Sequence, residues 1–194
     1  MKLKRIFAYI IDLFVVAVIA SALFTMPIFK TESQNYTQYY EEYIDILSSS
    51  GSTDISESEQ IELLYNMNKS SQSLYIINAG LLIIYFGITS YILKGKTIGK
   101  KLMNIQIVSE KGKALNPNLF MLRQILVTNL IPKVLSILSI IFLNGSTWYT
   151  ANNIIGYLNY ISYLLMLGFM IFREDERGLH DLIGQTKVIS ISKK

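Results

Sequence analysis

This chain of 194 residues is 51% hydrophobic and only 16% charged, with a formal net charge of +4 and a mean hydropathy of +0.36, whereas soluble domains carry about 25% charged residues. That balance excludes an ordinary soluble core and points to an all-α membrane protein. Having no cysteine removes disulfides, thiolate catalysis and cysteine metal sites, and a single histidine, His180, removes a multi-histidine metal centre.

The first apolar stretch, 6 to 29, follows Lys2, Lys4 and Arg5 and contains Asp12. An ionisable group near the middle of a membrane helix costs roughly 2.5–3.5 kcal/mol on insertion scales, so Asp12 must face protein or a wet cavity. The same segment, with its basic start and the small triplet Ala20-Ser21-Ala22, also has features of a cleavable signal peptide. Asp12 argues against that reading, because an acid breaks the apolar core that such a peptide needs.

Three further stretches are long enough to span: 74 to 93, 119 to 143 and 153 to 172. The second and fourth spans hold no charge, while the third holds Arg123, Pro132 and Lys133. Loop charges set the topology, since cytoplasmic loops collect Lys and Arg. The segment 30 to 72 has two lysines against eight carboxylates and belongs outside; the loop 94 to 118 has six lysines against Glu110 and belongs inside. A four-helix transmembrane bundle with both termini in the cytoplasm satisfies every loop. The positive charge is then a topology signal, and nucleic acid is not an expected partner.

The outer segment reads as two short helices. Tyr36, Tyr39, Tyr40, Tyr43, Ile44 and Leu47 recur at helical spacing. Ser48 to Thr53 reads as a linker, and Ser56 with Glu59 forms a capping-box pattern before Ile61, Leu64 and Tyr65. This insertion is either an outer gate or partner-binding cap, or a solvated loop resting on headgroups.

Gly95-Lys96-Thr97-Ile98-Gly99-Lys100-Lys101 has three residues between its glycines and no hydroxyl residue after Lys100. It therefore fails as a phosphate-binding loop, which needs four and a Ser or Thr there. Asn104 to Val108 alternates around Ile105 and Val108 before a turn at Glu110 to Lys113, which suits a small hairpin. Thr186 to Ser192 alternates too and could pair with it, giving a small cytoplasmic hairpin or sheet.

Arg5 with Ala8 and Asp12, the Gly95 to Lys100 motif, Arg123, and Arg177-Gly178-Leu179-His180-Asp181 with Gly184 and Thr186 together resemble the RDD family of prokaryotic membrane proteins. The resemblance covers nearly the whole chain outside 30 to 72, and the order and spacing of the motifs carry it. It matches the family's arginine and two aspartates to Arg5, Asp12 and Asp181. It also implies sodium/proton exchange and stress tolerance for some members, and companionship with membrane-organising proteins for others.

Arg5 and Asp12 lie two turns apart on one helix face, about 10 Å along the axis, too far for a direct ion pair. A straight third span would bring Lys133 about 15 Å into the membrane and within reach of Asp12, with Arg123 at the interface beside Arg5. Pro132 would kink that span, or residues 118 to 130 would lie along the interface. His180 beside Asp181 either senses pH or orders a turn, and Arg177 anchors on headgroup phosphates. No nucleophile with a base can be placed, so an enzyme is not expected, nor is a cofactor.

Two functions remain. One is a multi-pass cell-membrane antiporter exchanging Na+ or K+ for protons at Asp12. The other is a non-transporting scaffold or regulatory subunit. Both suit a homo-oligomer or a partner membrane subunit.

Overall fold

The computed structural model describes residues 1–48 and 56–191. The linker expected from Ser48 to Thr53 lies outside the described residues except for Ser48, and so does Ser192 at the end of the expected strand.

Helix α1, Lys2–Phe24, buries Arg5, Ala8, Asp12, Val16, Ala20 and Phe24. This is a single stripe at three- and four-residue spacing, the face that a helix turns to its neighbours. After a short turn at Pro27–Phe29 come α2, Lys30–Ser48, and α3, Glu57–Ser70, which pack on each other. The capping box is formed: Ser56 accepts from the Glu59 amide, and the Glu59 carboxylate accepts from the Ser56 amide at 3.0 Å. Of the expected tyrosine face, Tyr36, Tyr39 and Tyr43 are half-buried and Tyr40 is exposed.

Helix α4, Gln72–Ile92, packs along α1. Its middle, Ile83–Thr89, is wound as a π-helix, an overwide geometry that is rare and concentrates at functional sites. There the consecutive side chains Tyr85 and Phe86 both turn toward α1: Tyr85 reaches Asp12 and Phe86 packs against Tyr9.

A short helix α5, Ile98–Leu102, lies against α1, and strand β1, Ile105–Ser109, follows. The next helices are α6, Pro117–Val127, and α7, Leu130–Phe142. The single third span expected from the sequence is thus two helices bent by 64°. The break is not at Pro132, which sits in the first turn of α7, where its missing amide costs little. It is at Asn129, whose φ of 48° is left-handed, a conformation that asparagine tolerates better than most residues. Helix α8, Gly145–Phe172, starts earlier than expected and packs on α3 and α7, with Tyr65 and Trp148 in edge contact at 5.5 Å.

The chain closes with α9, Leu179–Ile183, and strand β2, Thr186–Ser190. β2 pairs antiparallel with β1, from Ile105 opposite Ser190 to Ser109 opposite Thr186. The expected pairing of the two segments is therefore present, as a long-range ladder rather than a local hairpin. The inward residues are Ile105, Ile107 and Val188, packed with Ala8 and Phe120; Val108 is only half-buried.

Among the described residues three helices, α1, α4 and α8, are long and apolar enough to cross a bilayer, and the bent α6–α7 pair makes a fourth if it is one span. The basic loop, the sheet and both ends of the described chain gather at one end of the molecule, where the Met1 amino group meets Glu176 at 3.4 Å. Asn129→Val should lower thermal stability by about 1–2 kcal/mol more than Asn129→Gly. Both variants lose the amide contact to Asn159, but only valine is strained at positive φ; unfolding in detergent measures the difference.

Candidate functional site

The charged residues of the sequence motifs converge at the basic end on two buried carboxylates. Asp12 is fully buried. Its Oδ1 accepts from the Tyr85 hydroxyl at 2.6 Å and the Gly99 amide at 2.7 Å, and its Oδ2 accepts from the Thr97 hydroxyl at 2.5 Å. Thr97 is also the N-cap of α5, accepting from the Lys100 amide, so one hydroxyl caps the helix and holds the carboxylate. The Gly95 to Lys100 motif is therefore a cradle for a carboxylate of its own chain.

The glycines make this approach possible. A β-carbon on Gly99 would lie 2.1 Å from the Ala8 carbonyl oxygen, and one on Gly95, at φ 83°, would lie 2.3 Å from the Ile107 carbonyl oxygen. Either clash would lift the loop off its support.

The second carboxylate, Asp181, is also fully buried and lies between two arginines. Arg5 from α1 donates to Oδ2, and Arg123 from α6 donates to Oδ1 through Nε at 3.0 Å, with its Nη2 ion-paired to the same oxygen at 2.9 Å. Within its own turn, the Gly178 amide donates to Oδ2 at 3.2 Å. Burial alone would raise the Asp181 carboxyl, but the Arg123 and Arg5 guanidiniums hold it well below its ordinary value. Arg5 also donates to the Glu176 carbonyl, tying α1 to the segment after α8.

Lys100 is buried beside these groups. Its Nζ lies 3.3 Å from the Thr97 hydroxyl and 5.6 Å from the centre of the Phe86 ring. Burial, reinforced by Arg123, pushes its ammonium down to about 7. His180 is pushed down to about 3, by burial first, so the imidazole is neutral near pH 7; its Nε2 lies 3.4 Å from Arg5 Nη2. Arg177 does not stand free for headgroups. It pairs with Asp175 and Glu110, each at 2.7 Å, clamping the last turn to the loop after β1.

The expected meeting of Lys133 with Asp12 does not occur. The bend at Asn129 turns α7 out of the line extrapolated from Arg123. Lys133 instead borders a separate cavity of about 360 Å³ with Asn78, Ser136, Asn152 and Asn159, and makes no ion pair among the described residues. Tyr85 and Phe86 were not legible as site residues. A tyrosine in an otherwise apolar span was the available signal for the first.

Asp12, Arg5, Lys100, Arg123 and His180 share the wall of one cavity of about 230 Å³. Its remaining wall is apolar, from Ile6, Val127, Tyr163, Met166 and Met170 among others. Among the described residues no group of His, Asp and Glu could hold a metal ion.

Asp181→Asn should cost about 3–5 kcal/mol, because two guanidiniums lose their counter-charge in the interior. Adding Arg123→Gln should recover part of that loss, and thermal unfolding of both variants in detergent tests it. His180 gives a pH signature. From its ordinary 6.5 down to about 3, the unfolded chain binds a proton that the folded chain refuses, so stability falls on acidification. The expected loss is about 2 kcal/mol between pH 6.5 and 5, and His180→Asn should remove that part of the slope.

No curated protein and no solved structure matches the chain. The RDD family model matches residues 2–185, nearly the whole chain, and takes in the motif residues from Arg5 to Gly184. The chain belongs to the RDD family.

Proposed function

We propose that this RDD-family membrane protein is a non-transporting scaffold or regulatory subunit of a membrane complex. In this reading it is multi-pass in the cell membrane, with its basic end in the cytoplasm. One observation carries the choice over cation–proton exchange: both oxygens of Asp12 already accept from donors of its own chain, the Tyr85 and Thr97 hydroxyls and the Gly99 amide. A sodium or potassium ion at this carboxylate would have to displace the Gly99 amide and turn both hydroxyls so that their lone pairs face it. Lys100, Arg5 and Arg123 in the same cavity wall would repel a cation further.

The long apolar faces support the partner half of the reading. Leu158, Ile161, Leu164 and Leu165 on α8 are all about half exposed or more, and in a bilayer such a face meets lipid or another helix. Either a second copy of the chain or a different membrane subunit suits it.

The test is ion flux in proteoliposomes with an imposed pH gradient and an internal pH dye. Wild-type protein at verified insertion should give no gradient collapse on adding Na+ or K+, while Asp12→Asn should lower thermal stability. Cation-triggered collapse by wild type that Asp12→Asn abolishes would overturn the reading in favour of exchange.

A further inference from the structure

Three basic side chains, Arg5, Lys100 and Arg123, border the cavity at the basic end, against two carboxylates in and behind its wall, Asp12 and Asp181; Lys100, about half protonated near pH 7, becomes fully charged beside an anion. The carboxylates are not equally shared. Asp181 is taken up by the two arginines, and Asp12 by hydroxyl and amide donors, so Lys100 is left without an ion-pair partner among the described residues. Its neighbour in the wall, His180, presents a buried Nδ1 with no hydrogen-bond partner. A buried positive excess with an unused polar atom beside it is a site for an anion.

The rest of the wall says what carries that anion. Tyr163, Met166 and Met170 on α8 face Ile6 on α1 across the cavity, and α1 and α8 make few contacts with each other. The cavity therefore takes part of its wall from two helices that are each long and apolar enough to cross a bilayer. At about 230 Å³ it is smaller than the roughly 300–1,000 Å³ that encloses a whole drug-sized ligand. It can hold a charged group and a short length of chain whose remainder lies outside, between the helices.

We propose that this cavity binds the phosphoryl group of an anionic phospholipid, with Lys100 as its principal charge partner and the start of an acyl chain along Met166 and Met170. A zwitterionic headgroup fits less well, because its own cation would enter a positive site. A nucleotide is too large. The inference stands apart from whether the chain exchanges ions, since binding is read without any gradient.

The experiment is native mass spectrometry of the full chain in detergent with phosphatidylglycerol, phosphatidylcholine or inorganic phosphate added. Wild type should retain phosphatidylglycerol about tenfold more tightly than phosphatidylcholine, because both offer the phosphodiester but only the second brings a cation to a site lined by basic side chains. Lys100→Gln should remove most of that preference. Met166→Trp, which fills the apolar part and leaves every charge in place, should weaken both lipids. Lys101→Gln, an exposed lysine one residue on, should change nothing. Equal retention of the two lipids by wild type would overturn the proposal, and so would a preference that survives both Lys100→Gln and Met166→Trp. Inorganic phosphate displacing phosphatidylglycerol at equal concentration would overturn the lipid assignment, because the acyl wall would then contribute nothing.

Discussion

A carboxylate held out of water needs donors or cations around it, and the basic end of this protein is organised around two that are fully buried. They are satisfied differently. Asp12 is held by two hydroxyls and an amide, so its charge is dispersed over dipoles. Asp181 is held chiefly by two guanidiniums. Together they join α1, α4, the loop before α5, α6 and the turn opening α9, segments far apart in the chain. The apolar cluster beneath, Ala8, Ile105, Ile107, Phe120 and Val188, is small. Much of the specificity of this end therefore rests on polar contacts that have few alternative partners.

The same logic explains why the glycine-bearing loop resembles a phosphate cradle without being one. One backbone amide, of Gly99, and the Thr97 hydroxyl receive negative charge, and the charge here is supplied from within the chain by α1. Gly99 lets the loop come down onto the Ala8 carbonyl, close enough for its amide to reach Asp12. That contact fixes the loop against the helix two turns beyond Arg5.

Much of the architecture was legible because it follows from hydrophobic length and local pattern. The apolar stretches containing α1, α4 and α8 and the Ser56 capping box follow from residues near one another in sequence, and the two strand segments, though distant from each other, each show their own local alternation. What each charge meets was less legible. Lys133 was placed against Asp12 by extending a straight helix from Arg123, and one left-handed residue, Asn129, defeats that extrapolation. Pro132 is the conspicuous helix breaker in the sequence, yet it falls where a helix start accommodates it. Tyr85 escaped notice because its role depends on the π-helical turn, which has no comparably simple residue signature.

The bend at Asn129 also separates the basic cavity from the one beside Lys133. Arg123 on one side faces Asp181 and the basic cavity, while Lys133 on the other faces the amide-lined one; the two share no lining residue. Where their walls approach, the Tyr9 hydroxyl donates to the Val127 carbonyl at 2.9 Å, and the Asn129 side chain donates to the Asn159 side chain at 3.1 Å. Both bonds fasten the turn between α6 and α7, one to α1 and the other to α8. With the Arg123–Asp181 pair just before the bend, they hold the α6–α7 turn in place between the two cavities.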